Sequence, residues 1–133
     1  MSLQNKEDNG MKICISSTGE NIDADVDPRF GRCRFFLVTD IDGGNVEAIS
    51  NEGVMASGGA GIQAAQKVAN TGVEYVITGN IGPNAFQTLN AANIKVITGV
   101  NGKIRNIIEQ FKKGELKETG SPSVGSHFGM GNR

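Results

Sequence analysis

A cationic segment with a cysteine, residues 27–33, carries the most distinctive chemistry of this 133-residue chain. The segment reads DPRFGRC, contains Arg29, Arg32 and Cys33, and is followed directly by Arg34. Guanidinium groups near a cysteine favour its thiolate, the form that binds metal, and they also attract anions. Because proline fixes one backbone angle and glycine permits unusual ones, we predict a shaped loop, called here the arginine loop. The alternative is that Cys33 only fills space where a strand begins, with the arginines in solvent.

A glycine-rich turn, GNIGP at residues 79–83, is the second candidate for contact with an anion. It follows a predicted buried strand and begins a predicted helix, so free N–H groups and the helix dipole face one point. We therefore name Gly79, Asn80 and Gly82 as candidate binding residues, while a purely structural turn stays open. The turn lacks the Gly-Lys-Ser/Thr sequence of a nucleotide P-loop.

Two other patterns carry weaker signals. Residues 59–64 fit the G-x-G-x-x-A dinucleotide fingerprint, but residues 51–57 separate them from the nearest predicted strand, whereas the true motif follows its strand directly. A helix start that allows close packing, or an anion at that helix start, explains them better. Asp23, Asp25 and Asp27 alternate in a polar connection, and we interpret them as a solvated loop edge rather than a divalent-metal site.

The inventory of reactive side chains argues against an enzyme. His127 is the only histidine and lies in a Gly/Ser-rich terminal stretch, so no rigid Cys–His or Ser–His pair is available. The first predicted strand has no carboxylate to hold a nuclease metal. Zinc and iron–sulfur sites usually need about four ligands, and the chain has two cysteines and one histidine. A cluster would arrive preassembled, with Cys33 and His127 as its few protein ligands, or be shared between subunits.

Hydrophobic periodicity predicts the elements that position these residues. Strands are predicted at residues 12–17, 35–40, 46–50, 75–78 and 94–98, and helices at 57–71, from Pro83 onward and at 103–113. Residues 42–45 (DGGN) form a predicted hairpin turn, and the second half alternates helix and strand. The pattern predicts a three-layer α/β/α domain with a mixed five-stranded sheet, which binds ligands at the carboxyl ends of its strands. The helix at 57–71 is predicted to bury Ile62, Ala65, Val68 and Ala69.

Composition sets the remaining expectations. The formal net charge of −1 gives no support to a nucleic-acid or membrane surface, and no apolar run is long enough to span a bilayer. Cys14 and Cys33 could form a disulfide, but with no visible export signal a reducing cytoplasm is favoured. Residues 1–10 are polar and are predicted to be a disordered extension, residues 11–118 one domain, and residues 119–133 a flexible tail.

The first strand, the arginine loop, the glycine turn at 58–61 and the sequence TGNIGPNAF at 78–86 together resemble the dinitrogenase iron–molybdenum cofactor biosynthesis family. The resemblance extends over about residues 11–118 and rests on two separated motifs in the same order. It implies a ribonuclease H-like fold with strand order 3-2-1-4-5, in which strand 2 is antiparallel. Nitrogenase-associated members bind iron–sulfur or iron–molybdenum cluster precursors and carry them between assembly proteins.

The resemblance therefore implies a non-enzymatic carrier of an iron–sulfur or iron–molybdenum-type cluster. Cys33 matches the cysteine or histidine thought to hold such clusters, whereas the histidine-rich tail of some relatives is reduced here to His127. The implied partners are cluster assembly or acceptor proteins, and the chain itself is expected to be a monomer or a weak homodimer. The alternative is a metal-free module that recognises a small anionic metabolite or a protein partner.

Overall fold

The computed structural model describes residues 11–51 and 60–122. In these ranges the strands are β1 (Lys12–Ser17), β2 (Phe35–Asp40), β3 (Glu47–Ser50), β4 (Tyr75–Ile77) and β5 (Lys95–Ile97). The helices are α1 (Ala60–Ala69), α2 (Pro83–Ala91) and α3 (Ile104–Lys112), and a short 3-10 turn occupies Phe30–Arg32. No helix in these ranges is long and apolar enough to cross a membrane.

The five strands form one mixed sheet in the order β3-β2-β1-β4-β5. Strand β2 is antiparallel to both of its neighbours, β1 and β3, whereas β4 is parallel to β1 and to β5. This arrangement confirms the predicted order 3-2-1-4-5 with strand 2 antiparallel. The sheet therefore brings the carboxyl ends of β1, β4 and β5 to the same edge.

Two hydrophobic clusters lie on opposite faces of the sheet and give the fold its three layers. One cluster packs Cys14 and Val76 against α1 and α2, and the other packs Ile13 and Ile15 against α3. Successive residues of β1 thus enter different clusters, as the two-residue period of a strand requires. Strand β1 is buried on both faces, which explains why its apolar residues are nearly continuous.

Helix α1 departs from its predicted buried stripe chiefly at Ile62, and Ala69 is only partly buried. The buried residues of the helix are Ala60, Ala64, Ala65 and Val68. Ile62 was predicted to lie in the core, and this prediction is wrong, because its side chain is among the exposed large hydrophobic residues. The alanines allow α1 to pack closely against α2 and the 3-10 turn, while Ile62 lines the surface of the helix.

A buried polar group ties the loops together at the carboxyl edge of β1 and β4. The hydroxyl of Ser16 is 2.8 Å from Oγ1 of Thr78 and donates to the carbonyl of Asp27 at 2.7 Å. The backbone N–H of Asp27 in turn donates to the carbonyl of Ser16 at 2.9 Å. The arginine loop therefore starts from a fixed point beside the end of β4.

The region after α3 is attached to the edge strand β5. The N–H of Thr119 donates to the carbonyl of Val96 at 2.6 Å, and its Oγ1 accepts from the N–H of Thr98 at 2.9 Å. The first residue of the predicted tail is therefore held by hydrogen bonds. His127 and the extension at residues 1–10 lie outside the described residues.

Candidate functional site

The arginine loop and the turn after β4 are joined backbone to backbone. The N–H of Phe30 donates to the carbonyl of Asn80 at 3.2 Å, and Nδ2 of Asn80 donates to the carbonyl of Pro28 at 3.3 Å. A Cβ atom on Gly79 would lie 2.7 Å from Cα of Pro28, so a side chain at this position would force the two segments apart. The loops predicted separately from the sequence thus form one unit.

This unit forms one wall of a cleft of about 510 Å³. The other wall consists of the first turns of α1 and α2. The lining residues are Arg29, Phe30, Gly31, Arg32, Ala60, Gly61, Ile62, Asn80, Ile81, Gly82, Pro83, Asn84 and Ala85.

Four of the predicted binding residues meet in the cleft, and two do not line it. Arg29, Arg32, Asn80 and Gly82 are all part of the lining. Gly79 is buried against Pro28 and shapes the wall, while Cys33 is fully buried behind it. Ile62, which was expected in the core, lines the cleft and supplies apolar surface there.

Both arginines are available to a ligand, to different degrees. The Arg29 side chain is 63% exposed, and its Nε is 3.5 Å from Oδ1 of the buried Asp27. That carboxylate also accepts from the N–H of Arg29 at 2.9 Å, which fixes the turn. Within residues 11–51 and 60–122 no carboxylate forms an ion pair with Arg32, which is exposed. The cleft therefore contains one weakly engaged guanidinium group and one that pairs with no described carboxylate.

The start of α2 adds to the positive potential of the cleft. Gly82 is its N-cap residue and has no side chain to bond to the first free N–H groups, and Pro83 follows. The first turns of α1 and α2 contain no acidic residue that would neutralise the helix dipole. A Cβ on Gly82 would meet nothing within 4 Å, and its φ of −87° suits any residue, so neither packing nor backbone conformation requires glycine.

Cys33 has a different environment from the one expected. Its side chain is buried, and its Sγ donates to the carbonyl of Phe30 at 3.3 Å. Burial raises the pKa of the Cys33 thiol to about 12, and the nearby carboxylate of Asp27 acts in the same direction. The expectation that the arginines would favour a thiolate is therefore wrong, because desolvation outweighs the attraction of Arg29. Burial also raises the pKa of Cys14, and both cysteines are free thiols.

Asn51 was not identified from the sequence, although it contacts the arginine loop directly. It follows β3, is fully buried, and its Nδ2 donates to the carbonyls of Cys33 at 2.9 Å and Gly31 at 3.3 Å. No described residue donates to its Oδ1. An asparagine after a short edge strand is usually a turn residue, so only its burial distinguishes it.

The weaker sequence patterns have structural explanations. Asp23 lies at the surface and forms an ion pair with Arg105, and among the described residues no three Cys, His, Asp or Glu side chains are grouped to hold a metal. A Cβ on Gly31 would lie 3.1 Å from Cα of Gly61, so the fingerprint-like segment allows the arginine loop to pack on the start of α1. The cleft therefore depends on close backbone approach at two places.

Comparison with known proteins connects this cleft to a family. The sequence pattern described as dinitrogenase iron-molybdenum cofactor matches residues 11–114. An uncharacterized protein of Methanocaldococcus jannaschii is 34% identical over 94 residues, which cover 68% of this chain and 80% of that protein. The family match at residues 11–114 includes both walls of the cleft.

Solved structures agree with the fold. The apo form of the orange protein from Desulfovibrio gigas is 38% identical, with a TM-score of 0.81 over 86% of this chain and 98% of that chain. A Thermotoga protein described as a candidate NifB protein is 36% identical, with a TM-score of 0.71 over 82% of this chain and 93% of that one.

Proposed function

The chain belongs to the dinitrogenase iron-molybdenum cofactor family, and on this premise we propose that it is a non-enzymatic carrier. Its cargo is an anionic iron–sulfur or iron–molybdenum-type cluster, or a precursor of one. The partners are proteins that assemble such clusters or accept them, and the compartment is the cytoplasm. The carrier acts as a monomer or a weak homodimer.

The observation that carries the proposal is that several groups with positive charge or potential surround one cleft. Two arginines, Arg29 and Arg32, face the same space as the uncapped first turn of α2 and the first turn of α1. Guanidinium groups and helix N-termini each favour a negative charge, and a partly enclosed cleft weakens the screening by water. The apolar side chains of Ile62 and Ile81 suit the polarisable sulfide surface of a cluster.

The lining also indicates how the cargo would be held. Among the residues that the structure describes, no Cys, His, Asp or Glu lines the cleft, so we expect a cluster there to bring its own sulfide ligands. The cleft would hold it by charge, by N–H groups and by the amide of Asn80. Ligation by Cys33 and His127 stays a prediction. For Cys33 it requires that the buried thiol become accessible and lose its proton.

The test is reconstitution of the purified protein under anaerobic conditions with iron, molybdate and sulfide. Bound cluster is measured by metal content after gel filtration and by charge-transfer absorption. Arg32→Ala removes the exposed cleft charge, and Arg34→Ala is the matched control, since Arg34 is exposed in the same region but is not among the described lining residues. We expect Arg32→Ala to lower cluster retention about tenfold, whereas Arg34→Ala leaves it unchanged. A wild-type protein that retains no cluster, or equal losses in both variants, would rule out the proposal.

A second function, metal-free binding of a small anionic metabolite, is favoured because none of the lining residues that the structure describes is Cys, His, Asp or Glu. Arginine and helix N-termini bind phosphate and carboxylate as readily as sulfide-rich anions. A thermal-shift series with phosphate, a sugar phosphate and tetrathiomolybdate separates the two functions. Stabilisation by the phosphates alone supports metabolite binding, and stabilisation by the thiometallate alone supports the carrier.

A further inference from the structure

Three carbonyl groups of the arginine loop are bonded by buried side chains. The carbonyl of Phe30 accepts from Sγ of Cys33 at 3.3 Å. The carbonyls of Gly31 and Cys33 accept from Nδ2 of Asn51 at 3.3 and 2.9 Å. Neither Cys33 nor Asn51 lines the cleft, so these bonds direct the three oxygen atoms away from it.

The direction of these carbonyls matters for an anion. A carbonyl oxygen carries negative partial charge and repels an anionic ligand, whereas N–H and guanidinium groups attract it. The 3-10 turn at Phe30–Arg32 lies on the cleft wall, where an unbonded carbonyl could rotate towards a ligand. Bonds to the interior prevent that rotation and leave the cleft face of the loop to its cationic groups.

We propose that Cys33 and Asn51 are positioning residues, which form a clamp that holds the carbonyl groups of the arginine loop away from the anion-binding cleft. The inference rests on the proposed anion-binding function and assigns Cys33 a role other than metal ligand. It also gives a reason for the buried amide of Asn51. Burial of an amide is unfavourable unless it forms hydrogen bonds, and both bonds that its Nδ2 donates to carbonyls end on this loop.

The clamp and ligation by Cys33 exclude each other in one conformation. The bond to Phe30 requires the proton on Sγ, and the fully buried position of the side chain disfavours its loss. A thiolate would lose this donor and place a negative charge against the carbonyl oxygen. Serine provides a donor of similar size but is a poor ligand for a metal–sulfur cluster, so Cys33→Ser and Cys33→Ala distinguish the two roles.

The experiment measures affinity for tetrathiomolybdate by calorimetry and the backbone amide shifts of Gly31 and Arg32 by NMR without ligand. We expect Cys33→Ser to bind within about twofold of wild type, and Cys33→Ala and Asn51→Ala to bind about five- to tenfold more weakly, with moved amide shifts. Thr39→Val is the control, because Thr39 is buried and its hydroxyl donates to the carbonyl of Gly44 in the β2–β3 hairpin. It should lower stability but not affinity.

The other possible results of this experiment would overturn either the clamp or the carrier function. Equal loss of binding in Cys33→Ser and Cys33→Ala overturns the clamp and supports ligation. Unchanged amide shifts and affinity in Asn51→Ala also overturn it, and Asn51→Ser replaces this variant if the alanine protein does not fold. If wild type binds no thiometallate, the carrier function fails, while the ligand-free amide shifts still decide whether the clamp exists.

Discussion

The thiol of Cys33 is removed from water, and this determines the pH range in which it ionises. Its pKa is raised from 9.0 to about 12, so between these values the unfolded chain releases a proton that the folded chain retains. The contribution of the Cys33 thiol to the free energy of unfolding is therefore fully present below about pH 9 and decreases as the pH rises towards 12. We expect the free energy of unfolding, measured by urea titration, to fall over this range and to fall less in Cys33→Ser. A wild-type profile that rises from pH 9 would contradict the assignment.

Gly82 offers a residue-scale test that separates binding from stability. Gly82→Asp would place a carboxylate on the free N–H groups of α2, as an N-cap aspartate does, and so occupy the position of a ligand anion. We expect stability to rise by a few tenths of a kcal/mol, since glycine is only slightly poorer than aspartate as an N-cap. Affinity for an anion should fall at least tenfold, because a like charge about 4 Å away costs about 4 kcal/mol near a protein surface.

Gly82→Asn is the matched variant for this prediction, since it caps the helix without adding charge. Thermal unfolding and calorimetric titration with tetrathiomolybdate are measured on both proteins. A smaller loss of affinity in the asparagine variant is expected. Undiminished binding in Gly82→Asp would show that the ligand does not approach the N-terminus of α2.

Single residues also mark the limit of sequence-based inference at this site. Arg29, Arg32, Asn80 and Gly82 were named as binding candidates because of their types and loop positions, and the structure places all four in the cleft lining. Cys33 was assigned a thiolate because the guanidinium groups are visible in sequence, whereas the desolvation that outweighs them arises only from tertiary packing. Asn51 was missed for the same reason, because it comes close to residues 31–33 only when the chain folds.

At the scale of elements, the cleft depends on the contact between the arginine loop and the turn after β4. Gly79→Ala would place Cβ 2.7 Å from Cα of Pro28, a backbone atom that cannot yield as a side chain does. We expect a loss of about 1–3 kcal/mol of stability, typical of overpacking, and weaker anion binding as the two loops separate. Gly120→Ala is the control, because its Cβ meets nothing within 4 Å. Equal urea midpoints for the two variants would contradict the contact.

Element-level prediction succeeded where local pattern and tertiary burial agree. The apolar residues of β1 and the helical spacing of Ile104, Ile107 and Ile108 correspond to buried faces, and the glycine-containing hairpin places β2 beside β3. Helix α1 differs at Ile62, because its side chain lines the cleft, where no residue in the described ranges buries it. Periodicity reports which residues share a face but not how far the neighbouring layer extends.

At the scale of the whole molecule, positive charge is concentrated at the cleft, although the net charge of the chain is slightly negative. The net charge is −1, yet the described part of the cleft brings together Arg29, Arg32 and the first turns of α1 and α2 without an acidic lining residue. Attraction of an anion therefore acts over the cleft and not over the surface as a whole. Such an attraction is sensitive to ionic strength, because the Debye length falls from about 10 Å at 0.1 M salt to about 3 Å at 1 M.

This arrangement predicts that anion affinity decreases with salt and that the cleft arginines account for the decrease. The Arg29 side chain is 63% exposed, so screening reaches it, and we expect affinity for tetrathiomolybdate to fall about tenfold between 0.1 and 1 M sodium chloride. Arg32→Ala should bind more weakly at low salt and lose less on addition of salt, because one of the screened charges is gone. Arg34→Ala should retain the wild-type dependence, since Arg34 lies outside the cleft. Binding that is independent of salt in wild type would mean that apolar contacts with Ile62 and Ile81, rather than charge, hold the ligand.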